Sequence, residues 1–469
     1  MKDDKHNRQQ LACEFIHDNY VAYNRLRFDE IAQKVQLQDT DWRYITNADI
    51  NSMVCDCCAE TGANITSREI LTVLNAGNGY IPRVHPLREY ILSLCPWKPE
   101  SGDWIDWVAS QVHVVDASAT DRPKGLLERT ACCQTTMLLD RPYGAERPTN
   151  LTGEAGLTVS EANGLAANSS HRERSGTERL WRQCFKKWFV AMVASWMKDE
   201  VVNHQVLVLI GKQGIYKTTW LERLIPPHLR QYCCKLANST QLNKDDRLRI
   251  AEFGLINMDE LDAMTPRELN SIKSVITASD VNERAAYGYT KERRMRLASF
   301  CASSNRREFL TDITGNRRWL PFEVESIQNP FFTTLPYDLM YAQAWALASD
   351  PNFSYWFELD EIAVLEQHNE DYRVQDSEEQ LLPILFDIPA EGKGEFMTTA
   401  QISERLVTYG NIKKPMAVSR LGMLLGQAGY RAVTRGERGS RMRGWIVYQR
   451  DTEEIATNKK LLAKECVTV

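Results

Sequence analysis

Asn203-His204-Gln205-Val206-Leu207-Val208-Leu209-Ile210-Gly211-Lys212-Gln213-Gly214-Ile215-Tyr216-Lys217-Thr218-Thr219-Trp220 is the stretch whose reading decides the fold. Val206 to Ile210 is an apolar run with β-branched members, the pattern of a strand buried on both faces of a parallel sheet. Glycines at 211 and 214, then Lys217-Thr218-Thr219 and a helical pattern through Trp220, Leu221 and Leu224, complete a strand, loop and helix. That order describes a phosphate-binding loop whose backbone N–H groups cradle phosphate oxygens. Lys217 would reach the β- and γ-phosphates, Thr218 would place a hydroxyl on Mg²⁺, and Thr219 would line the cofactor site with Gly211 and Gly214. Tyr216 stands where the usual pattern has glycine, so a tyrosine must take that turn at some cost. The bland alternative is a plain strand, turn and helix.

Working outward, Phe253 to Glu260 reads as an apolar strand ending in Asp259-Glu260. Asp259 would hold the Mg²⁺ shell and Glu260 would polarise the attacking water; a helix cap is the competing reading. Leu297 to Ser303 is a third strand candidate, with Asn305 at its tip to meet the γ-phosphate or water. Arg317-Arg318 precede a further strand. They are surface charge or, in a ring ATPase, a finger reaching the neighbour's nucleotide. These pieces arrive in the order of one ATPase core, and that coincidence outweighs each motif alone.

Two basic regions suggest nucleic acid. Lys291, Arg293, Arg294 and Arg296 lie with Arg284, Tyr287 and Tyr289, a mixture suited to a backbone-tracking, base-stacking loop or to an exposed hairpin. Near the C-terminus a helix, a helix and a strand pair enclose Arg435, Arg438, Arg441 and Arg443, which is winged-helix logic. The net charge of −5 over 469 residues hides these local surfaces. It also means that nothing global marks a nucleic-acid binder.

At this length about two to four domains are expected. We read 1–117 as a helical N-terminal region, with His85 before Pro86 as a turn or cap residue. Residues 118–177 read as a flexible insertion, 178–345 as the ATPase core, 346–379 as a connecting helical segment, 380–452 as the winged-helix-like domain and 453–469 as a tail. In 178–197 Phe185, Trp188, Phe189, Met192 and Trp196 recur at helical spacing, as core rather than as a cofactor box. No apolar run is long enough to span a bilayer. The scattered cysteines lack paired zinc spacing, and a cytoplasmic protein with reduced thiols is expected.

With these residues in hand the chain resembles the virulence-associated protein E (VirE/VapE) family, superfamily 3 helicase-like ATPases of mobile genetic elements. The resemblance rests on His85-Pro86 through Trp97, the 211–219 loop, Met258-Asp259-Glu260, Ser304-Asn305 and Phe309 through Arg318. It implies an α/β fold: a P-loop NTPase core of the AAA+/superfamily 3 type, with a helical N-terminal region and a small α+β winged-helix domain. It implies ATP and Mg²⁺ as cofactors, and DNA, a homo-oligomeric ring and primase or replication proteins as partners. Lys217, Glu260, Asn305 and Arg317 or Arg318 take the catalytic roles, with Thr218 and Asp259 on the metal. A helicase or translocase in mobile-element replication is the leading expectation. The alternatives are a non-catalytic DNA-binding regulator with a loop spoiled by Tyr216 and an ATP-driven switch without unwinding.

Overall fold

The computed structural model describes residues 2–75, 81–116, 175–236, 244–283, 291–311, 316–389, 394–436 and 441–458. Most of the expected insertion, the loop residues Arg284, Tyr287 and Tyr289, and Arg438 lie outside the described residues. The chain divides into two compact units.

The first unit takes residues 1–113, 181–305 and 318–359. It opens with helix α1 (Lys2–Ile16), strands β1 (Leu26–Asp29), β2 (Lys34–Gln38) and β3 (Trp42–Tyr44), helices α2 (Asn47–Thr61) and α3 (Ser67–Asn75), and strand β4 (Arg83–Val84). The strands form one sheet in the order β3-β2-β1-β4, which the helical reading of this region did not include. Three of them are only four, five and three residues long, too short for a period-two pattern to stand out. Phe15, Ile16, Leu26, Leu37, Met53, Ile70 and Leu74 make the local core. Helix α4 (Pro86–Ser93) follows, with His85 as its N-cap accepting from the Arg88 N–H. Burial pushes the imidazole pKa down to about 4, so the ring is neutral and free to accept.

Helix α5 (Trp104–Ala109) and strand β5 (Val112–Val114) lead to the main sheet. Its other elements are α6 (Gly176–Met197), β6 (Val206–Ile210), α7 (Lys217–Glu222), β7 (Cys233–Leu236), α8 (Lys244–Glu252) and β8 (Leu255–Met258). They continue with α9 (Pro266–Thr277), the hairpin β9 (Asp280–Glu283) and β10 (Glu292–Met295), β11 (Ser299–Ser304), β12 (Trp319–Ile327) and α10 (Tyr337–Ser349). The six-stranded order is β5-β12-β6-β11-β8-β7, and from β12 to β7 every neighbouring pair is parallel. All five residues of β6 are buried, as expected of a central strand covered on both faces. Helix α6 buries Trp181, Phe185, Trp188, Phe189, Met192 and Trp196. The Trp188 and Trp196 indole N–H groups donate to the Phe300 and Gly254 carbonyls at 3.1 Å each, which fixes the helix to the sheet.

The second unit takes 114–180, 306–317 and 360–469. It contains α11 (Leu359–Glu370), α12 (Ser377–Leu385), β13 (Phe386–Asp387), β14 (Glu395–Met397), α13 (Thr399–Gly410), α14 (Val418–Gln427), β15 (Arg431–Arg435) and β16 (Met442–Gln449). Strand β16 pairs antiparallel with β13, β14 and β15. Leu382, Leu385, Phe386, Ile402, Leu406, Leu421, Leu425, Trp445 and Val447 form its core. A capping box at Thr398 and Gln401 starts α13, and Trp445 Nε1 donates to Thr399 Oγ1 at 2.9 Å. Among the described residues no helix is long and apolar enough to cross a membrane.

Candidate functional site

In a parallel sheet the loops leaving the C-terminal ends of neighbouring strands meet at one edge, where ligands bind. Strand β11 lies between β6 and β8, with Ser304 beside Ile210 and Ala302 beside Met258. The loop after β6, the Asp259-Glu260 pair after β8 and Asn305 after β11 are thereby brought together.

The 211–216 loop is shaped by close approach and by left-handed backbone. A Cβ on Gly211 would stand 2.7 Å from the Val324 carbonyl oxygen, so no larger residue fits. Gly214 has φ +87° and Tyr216 φ +69°. Tyr216 thus takes the turn that glycine takes most easily, and it is the N-cap of α7. The residue is 37 % exposed, and its ring meets Phe331 edge-on with centroids 6.2 Å apart.

Lys217 is buried, with Nζ donating to the Gly211 and Lys212 carbonyls at 2.7 Å each and to Asn305 Oδ1 at 3.2 Å. Burial lowers its pKa, against the pull of Asp262 and Asp259. Thr218 Oγ1 donates to Asp259 Oδ1 at 2.8 Å, and Ser303 Oγ donates to the same oxygen at 2.5 Å. Lys235 Nζ lies 2.6 Å from Asp259 Oδ2. Burial works to raise the Asp259 pKa, but the bonds from Lys235, Ser303 and Thr218 outweigh it and hold the carboxyl below its usual range. Glu260 is exposed and left-handed, with φ +54°. The Asn305 N–H donates to Asp262 Oδ1 at 3.2 Å. Thr219 lines a cavity of about 660 Å³ beside α7, with Glu222, Arg223, Arg230, Lys235 and Phe331.

Lys217, Thr218, Asp259 and Asn305 therefore converge, as the spacing of their motifs suggested. Lys235, Ser303 and Asp262 join them without having been singled out. Ser303 is an inward residue of a buried strand, and Lys235 lies on a separate strand that only sheet pairing brings beside β8. Nothing local marks either.

The paired arginines lie elsewhere. Arg318 precedes Trp319, which is in register with Val206, the first residue of β6. It therefore lies at the opposite end of β6 from Gly211, roughly 20 Å away along the strand. Arg317 belongs to the second unit.

The basic hairpin β9–β10 is divided. Lys291 and Arg293 are exposed, with Arg293 Nε 2.9 Å from Asp280. Arg294 is half-buried against Glu252 at 2.8 Å. Arg296, expected at a nucleic-acid surface, is 3 % exposed. Its guanidinium donates to the Ala298 and Asn203 carbonyls at 2.9 and 2.8 Å and also to Ile276. A buried guanidinium spent on backbone carbonyls cannot reach a phosphate, so Arg296 is structural.

In the second unit Arg435, Arg441 and Arg443 are exposed at the open end of the β15–β16 pair. Thr434 opposes Arg443 and Arg435 opposes Met442, which puts Arg435 and Arg443 on opposite faces. Positive charge surrounds the hairpin end instead of lying along one face.

Residues 169–374 match the family model described as the virulence-associated protein E-like domain. No curated protein matches the chain. Solved structures of the NrS-1 C-terminal region are similar at 11 % identity, covering 90 % of this chain and 96 % of theirs. An apo structure has a TM-score of 0.39, and two A-form apo structures have 0.37 each.

Proposed function

We propose that the chain is an ATP-dependent DNA helicase or translocase acting in the replication of a mobile genetic element. The observation that carries this reading is the convergence of Lys217, Thr218, Asp259 and Asn305 at the ends of three adjacent parallel strands. The match of 169–374 to the virulence-associated protein E-like model adds to it.

In this reading Lys217 exchanges its bonds to the Gly211 and Lys212 carbonyls for β- and γ-phosphate oxygens, which draw an ammonium more strongly than neutral carbonyls do. Asn305, already within reach of Lys217, contacts the γ-phosphate or the attacking water. Glu260 sits one residue beyond Asp259 and accepts the water's proton. The Thr218 hydroxyl and Asp259 carboxylate are hard oxygen donors, 2.8 Å apart. They suit Mg²⁺, a hard cation that needs few protein ligands and would be held by these two. Among the described residues no three His, Cys, Asp or Glu side chains are grouped so that they could hold a metal ion. When bound, Mg²⁺ would offset the negative charge on the phosphate oxygens.

Arg318 is too far from its own chain's loop to serve it, which favours a trans role for Arg317 or Arg318 in a ring of copies. Lys291 and Arg293 on the hairpin would follow a single strand, while the arginines of the β15–β16 pair grip duplex, in the manner of a winged helix.

The test is steady-state ATP hydrolysis with and without single-stranded DNA. DNA-stimulated turnover is expected in the wild type. Glu260→Gln should reduce it by about 10²-fold or more, and Lys217→Ala should abolish it while DNA binding stays near normal. No turnover and no nucleotide binding, with DNA binding retained, would instead support a DNA-binding regulator whose loop Tyr216 has disabled.

A further inference from the structure

Both oxygens of Asp259 are already engaged. Oδ1 accepts from the Thr218 and Ser303 hydroxyls, and Oδ2 faces the Lys235 ammonium at 2.6 Å. A carboxylate that is to help hold a divalent cation, directly or through water, must give up some of this. The two hydroxyls can turn and still donate or accept. An ammonium only donates and carries a charge of the metal's own sign, so Lys235 and a divalent cation compete for Asp259.

Lys235 is built to leave. It stands on the edge strand β7, in register with Asn257 of β8, and its side chain is 49 % exposed. An ion pair whose ammonium is this accessible is screened by water and held weakly, and a doubly charged cation outcompetes it. Release does not strand the charge. Lys235 lines the cavity that also holds Glu222, and Glu222 and Glu260 both act on the ammonium after Asp259.

We propose that Lys235 is an exchangeable counter-ion of the metal site. It neutralises and orients Asp259 when no divalent cation is bound, and it is displaced when metal and nucleotide enter. This rests on the nucleotide-binding reading above and adds a positioning residue to it. The consequence is a metal requirement tuned by a residue on a different strand from every motif.

The experiment uses the full chain and a fluorescent, non-hydrolysable ATP analogue, titrated with Mg²⁺ at fixed nucleotide. Lys235→Met should lower the Mg²⁺ midpoint by about three- to tenfold, the size expected for removing one partly exposed competing charge. Lys235→Arg, which keeps the charge, should stay near the wild type. Lys235→Gln, a second neutral replacement, should follow Lys235→Met, so a folding defect in one variant does not decide the result. A midpoint in the neutral variants equal to or above that of the wild type overturns the exchange while leaving nucleotide binding standing. Failure of the wild type to bind nucleotide at any Mg²⁺ concentration overturns both readings.

Discussion

Tyr216 and Glu260 flank the candidate site with φ of +69° and +54°. Neither is glycine, and strained backbone of this kind persists where the surroundings enforce it, often where function needs the geometry. For Tyr216 the cost can be measured. Replacement by glycine relieves about 1 kcal/mol of left-handed strain, offset by a similar gain in unfolded-chain entropy and by the absence of a ring to pack on Phe331. Tyr216→Gly should therefore change stability by less than about 1 kcal/mol. Tyr216→Val adds a β-branch where it is least tolerated and should cost about 1–2 kcal/mol more than glycine. Urea unfolding of the three proteins checks the order, and valine equal to tyrosine would mean that the turn is not held left-handed. The sequence announced the difficulty at this position, because the spacing of Gly211, Gly214 and Lys217 leaves position 216 only one place in the loop. It did not announce Glu260, where nothing in an apolar strand ending in Asp-Glu signals a left-handed residue.

At the scale of elements, α6 was legible because its aromatic residues repeat every three or four positions over a long helix, and all of them are buried. The β15–β16 pair was legible from two strand-like runs enclosing a glycine- and arginine-rich stretch. What the strand pattern left undecided was which arginines act together. Register puts Arg435 and Arg443 on opposite faces, so they do not form one basic face. Changing Arg435, Arg441 and Arg443 together to alanine should weaken duplex binding uniformly across sequences. The slope of log affinity against log salt should fall by about one for each phosphate that is no longer neutralised. Fluorescence anisotropy over a salt series measures this, and an unchanged slope would remove the hairpin from the interface. The β9–β10 hairpin carries the opposite lesson. Arg293 and Arg296 look alike in sequence, but one is exposed and the other is turned into the protein onto backbone carbonyls.

Across the first unit the largest feature missed is the N-terminal sheet and the way it is tied to the main one. Asp29, fully buried at the end of β1, accepts from the Tyr232 hydroxyl at 2.6 Å, the Tyr44 hydroxyl at 2.9 Å and the Ile31 N–H at 2.8 Å. Tyr232 immediately precedes β7, so one carboxylate joins residues two hundred positions apart. Asp29→Ala would leave these donors buried without an acceptor and should destabilise the unit by about 3–5 kcal/mol. A shift in the urea midpoint at unchanged slope is the expected outcome, and a decrease below about 1 kcal/mol would show that the two sheets do not depend on this link.

What the sequence by itself determined is local: a buried strand, a glycine loop, a lysine and a threonine at fixed offsets, and acidic and amide residues at the ends of later strands. Those are properties of short segments, because backbone geometry and side-chain period act over a few residues. What only the tertiary structure decided is which side chains share an oxygen. Lys235 and Ser303 reach Asp259 solely through the parallel pairing of β7, β8 and β11. Arg318 is carried to the far end of β6 by the register of β12, and Arg296 is turned inward by the carbonyls packed around it. Pairing partners and register depend on residues distant in the chain, and no spacing along the sequence contains them.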